Sequence, residues 1–165
     1  MAIIMGWSKC SVEIGATGAD DAMATSLTDV GKIKDKSAVL EPTQGEVLEG
    51  KATGGELVAR EETEGGVALT IRVIEPTNAL FESLGLGDVA TNDIDVKTHV
   101  VSGDKSVKVT PKNVGAIGIK AAKTQVSFRP GWSDAEGNYV DIVFTFIKTA
   151  AGKWYTRFKK PAPQA

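Results

Sequence analysis

The chain has almost none of the groups that carry chemistry. Its 165 residues include one histidine, His99, and one cysteine, Cys10. A lone cysteine closes no internal disulfide, so nothing here asks for an oxidising compartment. His99 sits in T-H-V-V on a predicted strand, and no candidate catalytic partner lies near it in sequence. An imidazole packed on one sheet face is the simpler reading, and Cys10 would need that same His99 to act as a nucleophile. So thin an acid–base inventory argues against an enzyme, and no cofactor or metal site is expected. No run approaches the roughly 20 apolar residues of a membrane-spanning helix. The N-terminal M-A-I-I-M-G-W-S-K lacks the basic region of a signal peptide. A net charge of -2 gives no overall pull toward nucleic acid or anionic lipid.

What is plentiful is glycine, 18 in all, set between short β-branched runs. That punctuation predicts a mainly β chain, a β-sandwich or barrel of about nine or ten strands with one short α-helix, in a single domain over 1–165. Residues 1–11 read as an N-terminal arm or first strand, and V-E-I at Val12–Ile14 as a short apolar element. Residues 15–29 read as a small, polar loop, or a loop with one helical turn around Ala22. Lys32-Ile33 and Ala38–Leu40 flank an Asp35-Lys36 turn, and Pro42 ends the second strand, since proline has no donor for the ladder. Glu46–Ala52 and Glu56–Glu62 form a hairpin around Thr53-Gly54-Gly55, and Gly65-Gly66 turns the chain into Val67–Glu75. There Val67, Leu69, Ile71 and Val73 share one face and predict the core side.

Thr77 is placed to cap a helix from Asn78 to Leu84, with Gly85 or Gly87 as its left-handed stop. Leu80, Phe81 and Leu84 recur at helical spacing, so this helix should lid the sheet. Further strands are predicted at Asp95–Val101, Ser106–Thr110, Ala116–Ala121, Thr124–Arg129, Tyr139–Lys148 and Lys153–Phe158. Ser102-Gly103-Asp104, Asp134–Asn138 and Ala150–Gly152 turn between strands. Residues 159–165 read as a flexible tail.

Three motifs invite a chemical reading. V-E-I-G-A-T-G-A resembles the start of a dinucleotide loop, but it lacks the third small residue against a long helix, which leaves a Gly/Ala/Asp loop. S-D-A-E-G-N offers oxygens at Asp134, Glu136 and Asn138 but no closing bidentate acid, so it reads as a turn. The aromatics Trp132, Tyr139, Phe144, Phe146, Trp154, Tyr155 and Phe158 crowd the last third of the chain. Phe144 and Phe146 share parity with Val140 and Ile142, which marks them as core.

Charge is unevenly spread. Glu41–Glu64 holds seven acids against Lys51 and Arg60, whereas Lys97–Arg129 holds seven bases against Asp104 alone. Two solvated faces would explain this. Head-to-tail assembly of copies would explain it too, and would also give a role to a hairpin that carries charge on both of its faces. Glu46, Glu49, Lys51, Glu56, Arg60, Glu61 and Glu62 are the candidate inter-subunit or lumen residues on the acidic side. Lys108, Lys120 and Lys123 are their basic counterparts.

The order of elements resembles the major tail tube proteins of long-tailed bacteriophages. The likeness is carried by the G-K-I…S-A-V-L-E-P strand pair, the charged E-G-K-A-T-G-G-E-L-V hairpin, the long alternating strand and the E-P-T-N-A-L-F-E-S-L helix, over Val30–Leu86. It implies hexameric rings stacked into a tube, with other tail proteins as partners and DNA as non-specific cargo of the lumen. It also implies a virion tail made in a bacterial cytoplasm, and no membrane. Pyocin and type VI secretion tubes are related. The competing reading is a β-sandwich binding module of a baseplate or cell surface that recognises carbohydrate or protein, whose sign would be exposed Trp132 and Tyr139 beside a groove. A small-ligand barrel is a third, and it requires an apolar cavity inside the protomer.

Overall fold

The structure is a computed structural model, and it describes residues 9–87, 89–90, 93–97 and 103–163. His99 lies outside them. The chain is mainly β, with antiparallel sheets and one short helix. The strands are β1 (Cys10–Ala16), β2 (Thr28–Asp29), β3 (Val39–Pro42), β4 (Val47–Lys51), β5 (Leu57–Glu62), β6 (Val67–Ile74), β7 (Val89–Ala90), β8 (Asp93–Ile94), β9 (Lys105–Pro111), β10 (Ile117–Ser133), β11 (Gly137–Phe146) and β12 (Thr156–Lys159). The helix α1 is Asn78–Ser83.

Eight strands make one sheet in the order β2-β1-β9-β10-β11-β6-β3, with β12 on β10. A lone sheet with one apolar face must curl to bury it. One segment draws its ends together here. Thr28 and Asp29 pair with Ile14 and Glu13 of β1, and Val30 N–H donates to Val12 O at 2.9 Å. A few residues on, Ile33 bridges Val73 of β6, flanked by Lys34 N–H to Arg72 O and Ile74 N–H to Lys32 O. Thr28–Lys34 therefore links the two end regions of the sheet, barrel-fashion.

The enclosed face is the apolar parity of each strand. Leu69, Ile71 and Val73 of β6, Val140, Ile142, Phe144 and Phe146 of β11, and Val12 and Ile14 of β1 are all buried. Leu80, Phe81, Leu84 and Leu86 join the same cluster, so α1 closes the sheet as its spacing predicts. Thr77 Oγ accepts from Leu80 N–H at 3.3 Å, and Gly85 at φ +73° ends the helix, while Leu86 N–H reaches back to Phe81 O at 2.9 Å.

Several boundaries differ from the sequence pattern. The predicted strands at 116–121 and 124–129 are one 17-residue strand, β10. A register shift between Ala121 and Thr124 lets it leave β9 and β12 for β11. Its free carbonyl at Ala122 is satisfied by Thr17 Oγ at 2.8 Å and Ser106 Oγ at 2.7 Å. The predicted polar loop at 15–29 supplies β2, and its Thr17 is held by these contacts. Pro42 is the last residue of β3 and ends it as the sequence predicts, on a strand at the edge of the sheet. Asp95–Lys97 are not strand, and the rest of the predicted Asp95–Val101 strand lies outside the described residues. Cys10 and Ser11, read by sequence as the end of an arm or first strand, belong to β1. Lys159 belongs to β12, and Lys160 exchanges backbone bonds with Gly115 and Ala116, so order extends into the predicted tail.

Candidate assembly surface

The hairpin β4–β5 forms a sheet of its own, apart from the main one. None of its residues is buried. Its turn uses Gly54 and Gly55 at φ +97° and +83°. At its base the two arms pass so closely that a Cβ on Gly45 would lie 1.5 Å from Thr63 O, and one on Gly65 1.7 Å from Thr43 O. Only glycine permits that crossing. Thr43 N–H to Gly66 O (2.7 Å) and Thr63 N–H to Glu46 O (2.8 Å) pin it. Glu64 anchors the base to the body through Lys148 Nζ, 2.8 Å from both carboxylate oxygens, and Trp154 Nε1 at 3.4 Å. The Lys148 ammonium, then the Trp154 indole, hold the Glu64 carboxyl below its ordinary value.

Cross-strand register sorts the side chains of the hairpin and leaves charge on both faces, as the sequence predicts. Leu48 pairs with Glu61 and Gly50 with Ala59, then an irregularity at Gly50/Lys51 sets Leu57 opposite Lys51. Cross-strand partners share a face, so Leu48, Gly50, Ala59 and Glu61 lie on one, where Leu48 and Ala59 make an apolar patch beside Glu61. The other face carries Val47, Glu49, Lys51, Arg60 and Glu62, with Leu57 opposite Lys51. There Glu49 lies 4.0 Å from Arg60 and 3.8 Å from Lys51, and Glu62 accepts from Gln44 Nε2 at 3.0 Å. Glu46 and Glu56 flank the strands. Leu48 and Leu57 are half exposed and Val58 is 68% exposed. A free hairpin with exposed apolar side chains is rare on a protein that stays alone, because such surfaces find partners.

Of the basic candidates, Lys108 and Lys120 are cross-strand partners and Lys123 stands apart from them. Lys123 is taken: its Nζ lies 2.9 Å from Asp21 and 3.6 Å from Asp104. Asp21 also accepts from Ala150 N–H at 3.1 Å, so this clamp ties the 15–29 segment to the 149–152 turn. It makes Lys123 an internal strut, not a free inter-subunit cation. Lys108 of β9 stands between Glu13 and Lys120 in register, with its ammonium 5.5 Å from the Phe158 ring centre. Lys120 is exposed, opposite Thr156 of β12. Sequence spacing hid a further contribution: β12 brings Arg157 and Lys159 beside β10. A strand pairing is required to see this, although the acid-free run K-W-Y-T-R-F-K-K hinted at it.

The clamp gives a pH prediction. The Lys123 ammonium, then the Ala150 amide, hold Asp21 below its ordinary 3.8, and Asp21 raises Lys123 above 10.5. A depressed carboxyl stabilises the fold above its unfolded pKa, and that contribution is lost as pH falls through the folded value. A raised ammonium stabilises below its unfolded pKa and is lost as pH rises through the folded one. The clamp is thus intact between roughly pH 4 and pH 10. In an NMR titration the Ala150 amide should shift with a midpoint below 3.8, and Asp21→Ala should abolish that shift. A midpoint at or above 3.8 would refute the clamp.

The remaining motifs have structural roles. Glu136 pairs with Lys34 and, at 2.7 Å, with Arg72, so S-D-A-E-G-N is a turn tied into a charge cluster. Arg72 also grips Asp141 at 2.6 and 2.8 Å and lies 4.3 Å over the Tyr139 ring. Burial raises the Cys10 thiol pKa, the reverse of an activated thiolate. G-A-T-G leads into a three-residue 3-10 turn, not a long helix. Trp132 is 73% exposed, but it pairs with Asn138 while Tyr139 pairs with Gly131. The two aromatics therefore lie on opposite faces of the sheet and form no shared platform. A depression of about 510 Å³ on the outer sheet face is lined instead by polar groups, among them Lys34, Lys36, Arg72, Arg129 and Asp141. Among the described residues, no helix is long and apolar enough to cross a membrane. No protein-family model and no curated protein sequence matches the chain.

Proposed function

We propose that the chain is a structural protein that assembles with its own copies into stacked rings of a tube like that of phage tails, with DNA as passing cargo. The observation that carries this reading is the free-standing hairpin. It packs on no core of its own, exposes apolar side chains and belongs to the acidic stretch of a chain whose basic stretch lies elsewhere on the same protomer. Such a pair of unlike surfaces is heterologous, so it builds rings or filaments and not closed two-fold dimers. The mainly β fold and the capping helix agree with the resemblance in element order. An acidic lumen would let DNA slide without sticking. Virion tail placement follows from the same reading.

A binding module draws less support. Its aromatic pair is split across the sheet, and its groove is a shallow charged depression. A ligand barrel draws less still, since one cluster of buried side chains occupies the interior.

The test is negative-stain electron microscopy with light scattering over a concentration series. Rings or hollow tubes are expected at low salt. They should weaken as salt rises, because exposed charge pairs are screened within about 10 Å at 0.1 M. A monomer at every concentration and salt would overturn the proposal.

A further inference from the structure

One corner of the main sheet complements the hairpin. It is the turn from β9 to β10 together with the end of β12. Val114 and Ile117 are 47% and 41% exposed there. Lys112 and Lys159 are exposed beside them and have no carboxylate partner among the described residues. The corner is held rigid: Ile117 pairs with Lys159, Lys160 Nζ donates to Lys112 O at 2.7 Å, and Gly115 N–H donates to Lys160 O at 2.9 Å. The result is an apolar pair rimmed by cations, where the hairpin offers Leu48 and Ala59 beside the Glu61 carboxylate.

We infer that this corner is the seat for the hairpin of a second copy of the chain. Leu48 and Ala59 cover Val114 and Ile117, and Glu61 on the same hairpin face meets the Lys112 and Lys159 ammonium groups. This rests on the self-assembly reading and adds the receiving surface to it. The occupant is another copy because the chain itself carries the matching surface with the opposite charge. Hairpin against hairpin, or corner against corner, sets like charges together, so only the unlike pairing is favoured. That pairing leaves one unused hairpin and one unused corner at the ends, which is the condition for growth. It also explains why Lys123 and Lys108 take no part: one is clamped to Asp21, and the other faces Glu13 and Phe158.

Site-directed crosslinking tests it. In a Cys10→Ser background, a Leu48→Cys variant is mixed with a Val114→Cys variant and oxidised with diamide. The mixture should give a disulfide-linked pair of the two variants in at least tenfold greater yield than Leu48→Cys mixed with Ser127→Cys, a control on the outer face of β10. Adding Lys112→Glu and Lys159→Glu should cut that yield to the control level. A yield equal to the control, in a protein whose wild type assembles, overturns the inference and leaves self-assembly standing. A wild type that never assembles removes the parent reading as well. Both substituted positions are exposed, and unchanged circular dichroism and melting would establish that the variants fold.

Discussion

A chain in which Glu46–Glu62 are replaced by a short Gly/Ser turn should fold as the wild type does and lose assembly completely. The structural reason is that the hairpin contributes nothing to the interior. No residue of β4 or β5 is buried, and the strands pair only with each other. An isolated two-stranded hairpin is at best marginally stable in water, so its removal takes little from the fold. Shortening the connection also lowers the entropy cost of closing it, although only by about 0.6 kcal/mol per halving of length. The melting temperature should therefore stay within about 3 °C, the shift expected for roughly 1 kcal/mol in a domain of this size. Scattering and microscopy should meanwhile report monomers at concentrations where the wild type forms rings. If the shortened chain fails to fold, the hairpin belongs to the protomer core and its proposed role is wrong. If it folds and still assembles, contact between copies runs through another surface.

The features that repeat locally were readable in advance. The alternation in V-A-L-T-I-R-V-I fixed the inward face of β6, and T-N-A-L-F-E-S-L-G announced cap, apolar stripe and stop of α1. Both depend on interactions within a few residues. What the pattern missed depends on partners distant in sequence. Thr28-Asp29 is strand only because β1 lies beside it. The continuity of β10 through A-A-K-T depends on Thr17 and Ser106 satisfying the Ala122 carbonyl.

The candidate surface follows the same division. The two Gly-Gly breaks and the acidic excess located the hairpin, but its apolar patch emerged only once register set Leu48 and Ala59 on one face and Leu57 on that of Lys51. Charge counting placed Lys123 with Lys108 and Lys120. The fold separates Lys123 from the other two, because Asp21 arrives from a hundred residues away. It also left out Lys159, which reaches the basic side through its pairing with Ile117.

Phe144→Ala should have the opposite effect to hairpin removal, a large loss of stability with the assembly surface left intact. Phe144 is fully buried in β11, where it pairs with Leu69 of β6 and Val126 of β10, both buried. Deleting its ring removes apolar contact and leaves a cavity that paired strands on both sides cannot collapse to fill. The usual cost of such a change is about 3–5 kcal/mol. A domain of this size has about 5–15 kcal/mol in total, so the variant should remain folded with little reserve. With a urea slope of about 2 kcal/mol per molar, the unfolding midpoint should fall by about 2 M. Below that midpoint the variant should still assemble, since neither the hairpin nor the Val114–Ile117 corner touches the lost ring through strand pairing. A cost under about 1 kcal/mol would mean that the interior is loosely packed, contrary to the burial around Phe144. Loss of assembly in a variant that is still folded would mean that packing of the interior and contact between copies are coupled, and the separation of the two surfaces would fail.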